Sequence, residues 1–288
     1  MNDALSGKNV LVTGASRGLG REIAGALWRA GASVLLAARS ATPLSELQAE
    51  LMQTARAGQT AHVVVVDLRS PDAVKMIVDE CRRHWDRVDV LVNNAAVLGP
   101  VGRAWENDWT EWQTALRVNL LAPVALCRAL VPWMIERGGG KVLNLSGGGA
   151  TAPRPYFSAY ATAKAALVRF SETLALEVKD RNVQVNCIAP GAMNTEMNRA
   201  VLQAGAEKAG NDEYARATRL ALDKGLPTRA AELCVYLAGS RGDGITGRLL
   251  SAKWDPWQKL PEHMDELKES DIYTLRRIVP QDRGYHWE

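Results

Sequence analysis

The chain has 288 residues, of which 47% are hydrophobic and 23% are charged, as in an ordinary globular protein. Its formal net charge of +3 is too small to give the basic surface with which proteins bind nucleic acid or an anionic membrane. We expect a cytoplasmic protein without a membrane segment. The N-terminus lacks the pattern of a signal peptide, and no apolar stretch is expected to reach the roughly 18 residues of a membrane helix.

The cysteines predict neither disulfides nor a metal site. All four lie among apolar residues and lack the close spacing of metal ligands. We therefore expect buried free thiols in a reducing compartment. They are Cys81, Cys127, Cys187 and Cys234.

Short apolar runs alternate with longer amphipathic segments along the chain. The runs are continuously apolar, which predicts strands that are buried on both faces, as in a parallel sheet. Repeated strand–helix units predict right-handed crossovers and a doubly wound α/β fold in one domain, residues 1–252. The predicted strands are 9–14, 33–38, 62–67, 89–94, 141–146, 183–190 and, more weakly, 247–252.

Two regions depart from this alternation. Residues 192–226 are polar and are predicted to form a substrate loop with some helix of its own. Residues 253–288 form a C-terminal extension with Trp254, Trp257 and Trp287. We expect these tryptophans to be buried against the domain or against a neighbouring subunit.

A glycine-rich turn, TGASRGLG at 13–20, joins the first strand to the first helix. Glycines at such a turn allow a close backbone approach to a phosphate, and the following helix N-terminus supplies free N–H groups. The order strand, turn, helix therefore predicts a dinucleotide site. Its residues are Gly14, Ser16, Arg17, Gly18, Leu19 and Gly20.

The spacing TGxxxGxG resembles that of the short-chain dehydrogenase/reductase family. The similarity continues through NNAA (93–96), VNL (118–120), YATAK (160–164) and PGAMNT (190–195), and it spans about residues 7–250. It implies a seven-stranded, mostly parallel Rossmann fold that binds a nicotinamide cofactor. The resemblance also implies that Asp67 and Leu68 border the adenine of the cofactor, and that Asn93 and Ala95 line its adenosine ribose. The nicotinamide carboxamide is implied to contact Pro190, Gly191 and Thr195.

The end of the second predicted strand indicates which nicotinamide cofactor fits. It reads LLAARS, with Arg39 where a carboxylate would otherwise bind the ribose diol, and Arg17 lies in the nearby glycine-rich turn. Two guanidinium groups around a 2′-phosphate favour NADP(H) over NAD(H). The alternative is that both arginines are solvated surface residues.

Tyr160 and Lys164 are four residues apart in a helical pattern and so share one face. The ammonium and the positive ring of an oxidised nicotinamide favour the phenolate, which makes Tyr160 a proton donor or base. Lys164 is also expected to bind the nicotinamide ribose. The resemblance implies that Asn119 marks a helix break holding a water that relays protons to Lys164. The alternative for Tyr160 and Lys164 is an ordinary pair of surface side chains on an amphipathic helix. The alternative for Asn119 is a buried amide whose hydrogen bonds are satisfied locally.

Many members of this family carry a catalytic serine thirteen residues before the tyrosine, and residue 147 of this chain is glycine. Three interpretations remain open. Ser146 takes the role after a local shift of the backbone that the glycine run allows. Alternatively, a backbone N–H of Gly147 or Gly148, or the side chain of Thr151, polarises the carbonyl. In the third interpretation the site has lost full carbonyl-reductase chemistry.

The motifs together predict an NADP(H)-dependent oxidoreductase acting on a small-molecule carbonyl or alcohol. The alternatives are a catalytically impaired NADP-binding scaffold or sensor, and a lyase or epimerase of the same family. The resemblance implies a homotetramer or homodimer built on helices around 105–135 and 157–178. Three tryptophans at helical spacing, Trp105, Trp109 and Trp112, either line the substrate cleft or serve packing or an interface.

Overall fold

A single seven-stranded sheet organises the chain. The computed structural model describes residues 3–286 except 224 and 226. All six strand pairs are parallel, and the strand order is β3-β2-β1-β4-β5-β6-β7. The strands are Asn9–Thr13 (β1), Ser33–Ala38 (β2), Ala61–Val65 (β3), Val90–Asn93 (β4), Gly140–Leu145 (β5), Val183–Ala189 (β6) and Leu249–Ser251 (β7). This confirms the doubly wound α/β fold, and no predicted strand end is wrong by more than two residues.

Ten α-helices occur in the described part of the chain, most of them as crossovers between strands. They are Gly18–Arg29 (α1), Ala41–Met52 (α2), Ala73–His84 (α3), Trp109–Leu116 (α4), Ala122–Glu136 (α5), Ser158–Glu177 (α6), Glu196–Ala209 (α7), Asn211–Ala221 (α8), Thr228–Ala238 (α9) and Met264–Glu269 (α10). A π-helical segment, Arg117–Leu121, joins α4 to α5 without a break in the chain's helical path.

Two apolar cores lie on opposite faces of the sheet. Val10 and Val12 of β1 pack with residues of α1, α2 and α9, whereas Leu11 packs with residues of α3, α5 and α6. Successive strand residues point to opposite faces, so a continuously apolar strand contributes to both cores. The predicted burial on both faces is confirmed.

The helical stretch Trp109–Glu136 corrects one expectation from the sequence. By length and composition it is apolar enough to cross a membrane. In the fold it is the crossover between β4 and β5, and buried α5 residues such as Leu126 and Leu130 pack in the second core. Its apolar character serves the interior of the α/β domain.

The C-terminal extension packs on its own domain. The backbone N–H of Leu249 donates to the Tyr273 carbonyl at 2.8 Å, and that of Leu275 donates to Glu172 Oε1 at 2.6 Å. Trp257 is buried and packs edge-on against Tyr236, with ring centroids 5.2 Å apart. Trp254 is not buried against its own domain, because 76% of it is exposed at the rim of a cavity, so its burial against a neighbouring subunit stays a prediction. Trp287 lies outside the described residues.

Candidate active site

A cleft of about 460 Å³ opens at the carboxyl ends of the strands, where the strand order reverses between β1 and β4. Doubly wound sheets bind their ligands at such a switch point. Most of the predicted cofactor residues line this cleft. They are Gly14, Ser16, Arg17, Gly18, Leu19, Gly20, Arg39, Asp67, Leu68, Ala95, Tyr160, Lys164, Pro190 and Thr195.

Two predicted cofactor residues are placed elsewhere. The Asn93 side chain points into the interior and its Nδ2 donates to Asn144 Oδ1 at 2.8 Å, so Asn93 does not line the cleft. Its neighbour Asn94 lines the cleft instead and donates to the carbonyl oxygens of Thr13 and Gly14. Gly191 lines an adjacent cavity.

The glycine loop fits a phosphate group. A Cβ on Gly20 would lie 2.1 Å from the Gly14 carbonyl oxygen, and a Cβ on Gly14 would lie 2.8 Å from Ala95 Cα. Gly18 has a φ of +53° and only Thr195 Cγ2 lies within 4 Å of its Cβ position, so this glycine faces open space. The loop therefore packs tightly on the protein at Gly14 and Gly20 and is open at Gly18. Helix α1 begins at Gly18, so its N-terminal N–H groups lie at this open position.

Three arginines, Arg17, Arg39 and Arg69, line the part of the cleft next to the glycine-rich turn and the ends of β2 and β3. Arg17 forms an ion pair with Glu196 at the start of α7. Arg39 has no ion-pair partner among the residues that the structure describes. Arg69, which the sequence analysis missed, donates to both oxygens of Asp67, and with Arg39 it lowers the pKa of that carboxyl. Arg69 directly follows Asp67 and Leu68 in the sequence DLR, so its position next to two predicted cofactor residues could have indicated it.

Tyr160 and Lys164 are both buried on α6. Lys164 Nζ donates to the Leu145 carbonyl oxygen at 2.7 Å and lies 5.7 Å from the centre of the Tyr160 ring. Burial lowers the pKa of Lys164 to about 8. Burial also raises the pKa of Tyr160, and the cation that opposes this rise is Arg154, another residue that the sequence analysis missed.

Asn119 lies in the π-helical segment between α4 and α5 and is fully buried. Its Oδ1 accepts from the Val97 N–H and its Nδ2 donates to the Val97 carbonyl, both at 2.8 Å. The helix is not interrupted here, but its α-helical hydrogen bonding changes to a π-helical segment, and π segments are frequent at functional sites. The amide itself is satisfied locally and ties the helix to the loop after β4; the proton-relaying water stays a prediction.

The Tyr160 hydroxyl occupies the space beside Gly147, the position at which many family members carry a serine. A Cβ on Gly147 would lie 2.3 Å from the Tyr160 hydroxyl, so that hydroxyl fills the space of a side chain at this position. Ser146, directly after β5, is only 3% exposed, and its Oγ has no hydrogen-bond partner among the residues that the structure describes. A buried hydroxyl without a partner is costly and points to a ligand as its partner.

A second cavity of about 550 Å³ adjoins the cleft. Ser146 and Tyr160 line both spaces and so stand at their boundary. The walls of the second cavity come from the loop at 147–154, from α7 and α8, and from the C-terminal extension. Trp105, Trp109 and Trp112 line neither of these two spaces, which favours the alternative of packing or an interface over lining of the substrate cleft. Trp112 Nε1 donates to Ser158 Oγ at 3.1 Å, and its ring stacks on Trp109.

Comparison with known proteins identifies the family. The model of the short chain dehydrogenase family matches residues 8–205. A 3beta-hydroxysteroid dehydrogenase 1 of Eggerthella lenta is 34% identical over 256 residues, which are 87% of this chain and 94% of that protein. The structure of L-sorbose reductase from Gluconobacter frateurii, complexed with NADPH and L-sorbose, is similar with a TM-score of 0.75 at 31% identity, covering 87% of this chain and 97% of that one. The chain therefore belongs to the short-chain dehydrogenase/reductase family of oxidoreductases.

Proposed function

We propose that this protein is an NADP(H)-dependent oxidoreductase that interconverts a small-molecule carbonyl and the corresponding alcohol. The observation that carries the proposal is the position of Tyr160 and Ser146, which line both the cofactor cleft and the second cavity. A cofactor in the cleft and a substrate in the cavity would meet at these two hydroxyl groups.

The side chains at this boundary suit carbonyl reduction. When bound, the nicotinamide supplies a hydride to the carbonyl carbon. Because burial raises the pKa of Tyr160, its hydroxyl is protonated at neutral pH and can donate that proton to the carbonyl oxygen. In the reverse direction the same oxygen takes the proton of the alcohol. Lys164 holds a positive charge beside Tyr160, and Asn119 positions the loop through Val97.

Ser146 is the best candidate for the donor that orients the carbonyl oxygen. Its buried Oγ lacks a hydrogen-bond partner within the described part of the chain, and Ser146 borders both spaces. Thr151 borders the second cavity alone. The backbone N–H groups of Gly147 and Gly148 remain alternatives, since backbone amides serve this role elsewhere.

Two arginines that line the cleft near the ends of β2 and β3 support a preference for NADP(H). Arg39 and Arg69 both line the cleft, and Arg39 has no carboxylate partner within the described ranges 3–223, 225 and 227–286. The 2′-phosphate of NADP(H) would supply that partner through charge-assisted hydrogen bonds. Asp67 does not oppose this, because Arg69 neutralises its carboxylate.

We further propose a homo-oligomer in a reducing, cytoplasmic environment. Large apolar side chains are exposed on or near the helices that the family resemblance implies as interfaces; they include Trp105, Trp109, Leu121 and Leu176. All four cysteines are free and buried. Sedimentation of the purified protein would test the assembly.

The first experiment is a paired titration with NADPH and NADH, read by energy transfer from tryptophan to nicotinamide, followed by turnover assays of Tyr160→Phe. We expect tight NADPH binding, weak NADH binding, and loss of turnover in the variant with unchanged NADPH affinity. Turnover that persists in Tyr160→Phe would refute the assigned proton donor. Binding of neither nucleotide would refute the proposed function, and binding without any turnover would favour a scaffold or sensor.

A further inference from the structure

Arg154 projects into the second cavity from the loop that contains the three glycines. Its side chain is only 15% exposed. The guanidinium lies on the ring of Phe157, with Cζ 4.0 Å from the ring centre, and it lies 5.9 Å from the centre of the Tyr160 ring. A half-buried cation therefore stands beside the proposed proton donor, on the side of the second cavity.

The glycine run makes this position possible. Gly149 has a φ of +94°, and a Cβ there would lie 2.6 Å from Ala161 Cβ, so only glycine lets the loop lie directly on α6. At Gly148 a Cβ would lie 3.8 Å from Arg154 Cδ and 3.9 Å from its Nη1. The Arg154 side chain thus passes next to the backbone of Gly148 and lines the second cavity.

The hydrogen-bonding capacity of Arg154 is largely unused. A guanidinium has five N–H donors. Within the described chain, Arg154 Nη2 donates to Glu213 Oε2 at 2.7 Å, while the buried Nε has no partner. Buried donors of this kind are costly unless an acceptor is supplied.

Two guanidinium groups, of Arg154 and Arg216, and two carboxylates, of Glu213 and Asp255, line the second cavity. Arg216 Nη2 donates to both oxygens of Glu213 at 2.7 and 2.6 Å, so Glu213 keeps a partner even if Arg154 turns to a ligand. The other carboxylate in the cavity wall, Asp255, accepts a hydrogen bond from the Ser251 N–H at 2.7 Å. Two guanidinium groups therefore share one carboxylate near the reacting hydroxyl.

Resting on the function proposed above, we propose that the substrate carries a carboxylate and that Arg154 binds it, so that the enzyme interconverts keto acids and hydroxy acids. A carboxylate supplies two acceptor oxygens in the plane that a guanidinium fork matches. Neutral carbonyl compounds of the same size would leave the buried donors of Arg154 without acceptors. Arg154 is then a specificity-determining residue, while Tyr160 performs the proton transfer.

The test uses the full-length protein with NADPH, a panel of straight-chain keto acids with increasing distance between carbonyl and carboxylate, and the methyl ester of each acid. We expect the best acid to exceed its ester in kcat/KM by about 10- to 100-fold, the range of a charge-assisted pairing. Arg154→Gln should abolish that preference by raising KM for the acid far more than KM for the ester. Arg154→Lys should restore part of it, because it keeps the charge and loses the fork.

A matched control is Arg82→Gln, which removes a guanidinium that lies over the Trp133 ring, outside both cavities. It should retain the acid preference. NADPH titration and thermal melting of each variant show whether it is folded. Equal turnover of acids and esters by the wild type, or an acid preference that survives in folded Arg154→Gln, would overturn the proposal and leave the oxidoreductase function standing. Absence of NADPH binding and of all turnover would instead refute the proposed function.

Discussion

Replacing Lys164 by methionine should stabilise the cofactor-free protein at neutral pH. The Lys164 ammonium is enclosed in the interior, and among the described residues its one hydrogen bond is to the Leu145 carbonyl oxygen at 2.7 Å. Burial lowers its pKa from the usual value of 10.5 to about 8. The buried charge, which the proposed reaction needs, therefore lowers the free energy of unfolding.

The size and the sign of the effect follow from this pKa. Since the folded state releases the proton near pH 8 and the unfolded chain keeps it until about pH 10.5, the charged lysine destabilises the fold by about 3 kcal/mol at pH 7. Between these two values the unfolded state alone binds the proton, so stability rises with pH and the penalty falls to about 1 kcal/mol at pH 10. Lys164→Met removes the penalty and loses one hydrogen bond worth about 1 kcal/mol. We expect the variant to be more stable than wild type by about 2 kcal/mol at pH 7 and equally stable near pH 10.

Urea unfolding of both proteins without cofactor, at several values between pH 7 and pH 10, measures this difference. Lys179→Met serves as the control, because Lys179 is exposed just beyond the end of α6. A stability difference that does not change with pH would show that Lys164 does not titrate as the structure indicates. A wild type more stable than the variant at pH 7 would show that contacts of the ammonium outweigh its desolvation.

Four further substitutions test the glycine loop and the missing serine. Gly20→Ala should lower the free energy of unfolding by about 1–3 kcal/mol in urea titrations, because its Cβ would lie 2.1 Å from a carbonyl oxygen of the same loop. Gly147→Ala should lower kcat by about 100-fold, since its Cβ would displace the Tyr160 hydroxyl by roughly 1 Å. Gly148→Ala, whose Cβ makes only ordinary contacts, should be tolerated in the same steady-state assay, and equal losses in both variants would contradict the steric argument. Ser146→Ala should lower kcat by about 100- to 1000-fold with unchanged NADPH affinity, and unchanged turnover would exclude Ser146 as the donor.

The fold and the cofactor loop could be read from local sequence. The strands were predictable because a short, continuously apolar run has few alternatives to burial on both faces of a sheet. The glycine loop was predictable because phosphate binding there depends on the backbone and on residues adjacent in the chain. The family resemblance added Tyr160 and Lys164, which one helix face brings together in any case.

The tertiary structure decided which neighbours in the sequence face the site. Sequence pattern could not choose between Asn93 and Asn94, or between Ser146 and Gly147, because adjacent residues at a strand end point in opposite directions and a small backbone shift exchanges them. It also could not find Arg154, whose surroundings come from α6, α8 and the glycine run, segments far apart in the chain. The depressed pKa of Lys164 has the same origin, because burial is a sum over distant parts of the fold. Local pattern determined the scaffold and the cofactor loop; packing between remote segments determined the charges and hydroxyl groups that would meet a substrate.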